Sequence, residues 1–73
     1  MNKFYLSPVD NKKSFYNKAH VVLNNDIATL YSYNTEIMSY NTKTKEVLKT
    51  PYYDYSATTK RHQKAFCALY NIA

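Results

Sequence analysis

The sequence predicts an α+β domain, an antiparallel sheet of three to four strands with one C-terminal amphipathic helix packed on one face. Three observations carry this. Apolar and polar residues alternate through the middle of the chain between asparagine-rich breaks. The last third switches to a helical period. The breaks are short, which favours a meander of sequential neighbours.

Residues 4–6 form a candidate first strand, and 7–13 read as a turn-rich loop because Pro8 fixes its own φ and lacks an amide donor. The chain is expected to be a single domain over 1–73, with 1–13 a loosely ordered arm. Strands are predicted at 19–23, 27–33 and 35–40, separated by a turn at Asn24-Asn25-Asp26 and by a break or bulge at Asn34. Asn41-Thr42-Lys43-Thr44-Lys45 turns into another strand at 46–49, which Thr50-Pro51 ends. Tyr52-Tyr53-Asp54-Tyr55 then runs as an extended segment into the helix.

The helix begins at Ala57. Ser56 is the preferred N-cap because its hydroxyl can accept from an otherwise unpaired amide of the first turn, with Thr58 as the competing cap. At about 100° per residue, His62, Ala65, Phe66, Leu69, Tyr70 and Ile72 share one face. Lys60, Arg61, Gln63, Lys64, Cys67 and Asn71 take the other, and Asn71 can close the helix in the left-handed region.

The chain holds nine tyrosines, three phenylalanines and no tryptophan. Tyrosine buries a ring yet keeps a hydroxyl that needs a polar partner, so such a chain is built for half-exposed sheets and interfaces. In strand 27–33 both faces carry apolar side chains, which one helix cannot cover. The second face is expected to be packed by the N-terminal arm, another chain or a ligand. Glycine is absent, so asparagine must serve the turns, and glycine-lined nucleotide cradles of the Walker or Rossmann type are excluded.

Net charge is +5. Residues 1–20 carry Lys3, Lys12, Lys13 and Lys18 against Asp10, residues 21–42 carry only Asp26 and Glu36, and the bases return after 43. Positive ends around a mildly acidic middle attract nucleic acid or an acidic protein surface without choosing between them. Cys67 is the single cysteine, so no internal disulfide forms and a reducing, cytoplasmic setting is expected. No stretch approaches the about 18 apolar residues of a membrane span, and no membrane partner is expected.

No catalytic, cofactor or metal site is read from the residues, and an enzyme is not expected. His62 and Cys67 turn to different helix faces, which rules out a thiol dyad. His20, His62 and Asp54 lack ligand spacing for zinc. Lys60, Arg61 and Lys64 form the leading binding face. Joined to Lys43, Lys45, Tyr31 and Tyr33, they suggest base stacking on rings beside phosphate-neutralising lysines.

Three segments, Ser14-Phe15-Tyr16-Asn17-Lys18-Ala19-His20-Val21, Leu30-Tyr31-Ser32-Tyr33-Asn34-Thr35-Glu36-Ile37 and Tyr55-Ser56-Ala57-Thr58-Thr59-Lys60-Arg61-His62-Gln63-Lys64-Ala65-Phe66, together resemble a small domain of unknown function from phages and mobile elements of low-GC Gram-positive bacteria. In that pattern glycines stand at Asn17 and Asn34, which suits a left-handed backbone at both. The resemblance lends no activity. It implies a bacterial host cytoplasm and, by association, an inhibitor of a host nucleic-acid-handling or defence complex in the manner of anti-CRISPR proteins. The alternatives are an accessory protein that binds nucleic acid directly and a homo-oligomeric structural component, for which a homodimer is the simplest form.

Overall fold

The computed structural model describes residues 2–8, 15 and 17–72. The chain forms β1 (Asn2–Tyr5), β2 (Ala19–Asn24), β3 (Ile27–Ser32), β4 (Thr35–Asn41), β5 (Val47–Lys49) and α1 (Ala57–Tyr70). The sheet is an antiparallel meander in the order β1-β2-β3-β4-β5. The expected three to four strands are therefore corrected to five. The fifth is β1, the candidate strand expected at 4–6 and found at Asn2–Tyr5, which pairs Asn2 with Leu23 through Tyr5 with His20. The part of the expected arm at 9–13 lies outside the described residues.

Strand alternation sorts the side chains. Ala19 and Val21 on β2, Ala28, Leu30 and Ser32 on β3, and Met38 and Tyr40 on β4 are buried on one face. Their register partners keep that face continuous, with Val21 opposite Leu30 and Leu30 opposite Met38. Helix α1 covers it, and Phe66, fully buried, joins the central cluster. Burying a ring of that size contributes about 1.5–3 kcal/mol. Phe15, Ala19 and Ala65 make a smaller cluster beside it.

A β-bulge interrupts β4. Leu30 pairs with Met38 but Tyr31 pairs with Glu36, so Ile37 is the extra residue. Two consecutive residues, Ile37 and Met38, are consequently both buried, which strict alternation would forbid. The break expected at Asn34 is present as the turn between Ser32 and Thr35, and the bulge falls separately at Ile37.

Both hairpins at β2–β3 and β3–β4 use two-residue loops with positive φ at the first residue, Asn25 (57°) and Tyr33 (60°), and not at the second. That is the φ pattern of a II′ turn, whose twist matches the flanking strands. The left-handed residue expected at Asn34 is Tyr33. Asn17 (61°), Lys45 (69°), Asp54 (60°) and Asn71 (55°) complete the left-handed set. In the β4–β5 loop the Asn41 Oδ1 accepts from the amides of Lys43 and Thr44, the Asx geometry that makes asparagine a turn residue.

The stretch before the helix is not extended, contrary to expectation. Tyr53 N donates to Thr50 O and Tyr55 N to Tyr52 O, so it folds as successive tight turns. Asp54, left-handed within them, donates its amide to Gln63 Oε1 and accepts from Gln63 Nε2, both at 2.7 Å. Those two bonds draw Gln63 to the protein side of α1. Gln63 is therefore buried, although the helical wheel placed it in solvent, while Leu69 is 49% exposed. Ser56 caps the helix as expected, its Oγ accepting from Thr59 N, and Asn71 closes it left-handed.

Candidate functional site

The sheet face turned away from α1 carries an aromatic row that runs straight across three strands. Tyr5 lies opposite His20, and His20 opposite Tyr31. Directly opposed side chains on an antiparallel pair are close enough for ring contact. The His20 and Tyr31 rings stack at 4.9 Å with 2° between planes, and Tyr5 meets His20 edge-on at 6.1 Å. Burial and then the neighbouring Lys3 ammonium hold His20 below its ordinary pKa, so it is a neutral ring at neutral pH. Glu36, opposite Tyr31, ends the row on β4 with a carboxylate.

Lysines flank the row. Lys3 Nζ sits 5.3 Å from the centre of the Tyr5 ring, and Lys18 Nζ 5.9 Å from that of Tyr33. Lys3, Tyr5, Asn17, Lys18, His20 and Tyr33 enclose a polar hollow of about 190 Å³. Left-handed Asn17, in the loop before β2, lines the hollow beside Lys18.

A second cavity, of about 310 Å³, opens where the β3–β4 turn meets the start of α1. Tyr33, Tyr52 and Tyr55 line it, together with Ile37 and the hydroxyl residues Ser32, Thr35, Ser56 and Thr59. Beneath it Ser32 Oγ and His62 Nδ1 share a hydrogen bond of 2.8 Å, and Ser32 Oγ lies 3.4 Å from Thr59 Oγ1. His62 is fully buried, packs edge-on against Phe15 at 4.6 Å, and its Nε2 has no hydrogen-bond partner. A serine activated by histidine needs a third group to orient the ring. No such group meets Nε2, and this pair serves as a buried polar strut between β3 and α1.

Among the residues singled out from sequence, Tyr31 stands in the aromatic row and Tyr33 at the turn between the two cavities. Lys60 and Lys64 are exposed on α1, which packs on the opposite sheet face from Tyr31. Arg61 is half-buried, its guanidinium 5.1 Å from the Phe15 ring. Lys43 and Lys45 are exposed in the β4–β5 loop, at the other end of β4 from Tyr33. The structure thus brings Tyr33 together with Lys3 and Lys18, places Tyr31 against His20 on the same face, and puts Lys43, Lys45, Lys60, Arg61 and Lys64 elsewhere. Tyr5 and His20 escaped sequence reasoning because their alignment is a property of register. Burial pushes the Cys67 thiol above its ordinary pKa, with Lys49 opposing. Among the described residues no three His, Cys, Asp or Glu side chains converge, and no helix is long and apolar enough to cross a membrane.

Compared with known proteins, residues 5–72 match the model of a family of unknown function, DUF8033. No curated protein and no solved structure matches the chain.

Proposed function

Because the chain belongs to the DUF8033 family of unknown function, which lends it no activity, we propose from its own geometry that it is a non-enzymatic domain binding single-stranded nucleic acid on the open face of its sheet. The observation that supports this reading is the row of Tyr5, His20 and Tyr31, left uncovered by α1 and bordered by Lys3 and Lys18. Each base stacked on an aromatic ring is worth about 1–3 kcal/mol, and lysines along the path neutralise the backbone. The net charge of +5 adds a long-range attraction.

The test is fluorescence anisotropy with short labelled single-stranded DNA and RNA. Affinity should fall linearly on a log–log plot against salt, as counterion release requires. Tyr31→Ala and Tyr5→Ala should each weaken binding about fivefold or more. Affinity unchanged in both variants, or no binding at low salt, overturns the reading.

A second reading is that the domain blocks a host nucleic-acid-handling or defence complex, as the likeness to phage and mobile-element proteins implies. Exposed Lys60 and Lys64 support it, since they offer an acidic partner a surface that the core does not use. Tight capture of one host protein after nuclease treatment, with no affinity for free oligonucleotide, would favour it. A homo-oligomer predicts instead a concentration-dependent mass in sedimentation.

A further inference from the structure

The hollow beside the aromatic row and the cavity at the start of α1 have one lining residue in common, Tyr33. On one side is the hollow with Lys3 and Lys18, whose ammonium groups suit a phosphate. On the other is the cavity bounded by Tyr33, Tyr52 and Tyr55. Its volume of about 310 Å³ lies at the small end of ligand sites, which start near 300 Å³.

The chemistry of the second cavity is specific. Tyr52 and Tyr55 are 50% and 75% exposed and meet edge-on at 6.0 Å, so their rings are available to a planar ligand. Among the described residues no charged side chain lines the cavity, and the nearby Asp54 carboxylate is bonded to Gln63 Nε2. The hydroxyls of Thr35, Tyr52 and Tyr55 can each donate and accept, which is what the mixed edge of a nucleobase requires. Tyr33 itself holds φ at 60°, a turn position that asparagine or glycine would fill at lower cost than a bulky residue.

Resting on the nucleic-acid reading above, we infer that the structure carries a one-nucleotide site at the β3–β4 turn: a base enters the cavity of Tyr33, Tyr52 and Tyr55 while its phosphate sits in the hollow of Lys3 and Lys18. Stacking on three rings does not discriminate among bases, so the site takes purines and pyrimidines alike. It pins one nucleotide of the strand at the edge of the sheet platform.

The full chain is titrated with adenosine 5′-monophosphate, uridine 5′-monophosphate and inorganic phosphate, followed by NMR. Both nucleotides should shift the resonances of Tyr33, Tyr52, Tyr55 and Lys18, and phosphate only those of Lys3, Asn17 and Lys18. In parallel, Tyr55→Ala and Tyr52→Ala should weaken oligonucleotide binding about fivefold or more, with melting temperatures confirming that the variants fold. If oligonucleotide binds and Tyr31→Ala weakens it while Tyr52→Ala and Tyr55→Ala do not, the nucleotide site is overturned and the platform stands. If nucleotides shift the cavity but oligonucleotide affinity ignores Tyr31 and Tyr5, the platform falls and the site stands. Silence in both assays overturns both.

Discussion

Tyr33 sets stability against use. A left-handed conformation costs an ordinary L-residue about 1–2 kcal/mol, less for asparagine and nothing of this kind for glycine. Tyr33→Asn should therefore stabilise the fold by about 0.5–1 kcal/mol in urea denaturation, while oligonucleotide affinity declines. Asn34→Gly should bring no such gain, because Asn34 is not left-handed. His62 makes a different demand. Burial first, and then Arg61, lower its pKa below the ordinary 6.5. Above pH 6.5 the ring is neutral in both folded and unfolded chains and costs nothing. Below it, the unfolded chain takes up a proton that the folded one resists, so stability is lost as pH falls from 6.5 toward the folded pKa. The melting temperature should drop between pH 7 and pH 5 in wild type and in His20→Gln. In His62→Gln most of that slope should vanish.

At the scale of the element, α1 is held by fewer residues than its apolar stripe suggests. Phe66→Ala removes a fully buried ring and should cost about 3–5 kcal/mol, enough to unfold so small a domain. Lys64→Ala should cost less than about 0.5 kcal/mol. Leu69→Ala should fall much nearer to Lys64→Ala, since Leu69 lies at the rim of a shallow groove with Phe4, Leu6 and Ala68. Gln63→Ala breaks both bonds to left-handed Asp54 and should cost about 1–3 kcal/mol, mainly by leaving the Asp54 amide unpaired. Chemical denaturation of the four variants checks the order. Equal stability of Phe66→Ala and Lys64→Ala would refute the packing described here.

Over the whole molecule, the question is where the positive charge acts. Lys3→Glu with Lys18→Glu and Lys60→Glu with Lys64→Glu lower the net charge of +5 by the same amount, so a difference between them reports location alone. Of these four lysines, Lys60 and Lys64 lie on α1, away from the aromatic row, whereas Lys3 and Lys18 sit over the rings of Tyr5 and of Tyr33 in the adjoining turn. The first pair of reversals should abolish oligonucleotide binding and flatten its salt dependence, whereas the second should reduce affinity only as far as added salt can mimic. If the helix pair has the larger effect, the partner is met on α1 and the inhibitor reading takes precedence.

By itself the sequence determined what is local. The limits of β2, β3 and β4 were legible to within a residue because turn chemistry at Asn24-Asn25-Asp26 and Asn41 brackets them, and the Ser56 cap and Asn71 close follow from side-chain and backbone preferences of single residues. Only the tertiary structure decided what depends on pairing. The bulge at Ile37, the pairing of β1 and the burial of Gln63 each arise from how two elements meet and not from the preference of a single residue. The candidate site belongs to the second kind. Both faces of β3 hold apolar side chains, so alternation alone could not say which face α1 would cover. Packing Leu30 under Phe66 settled it, and in doing so left Tyr31 in register with His20 and Tyr5 on the side away from α1.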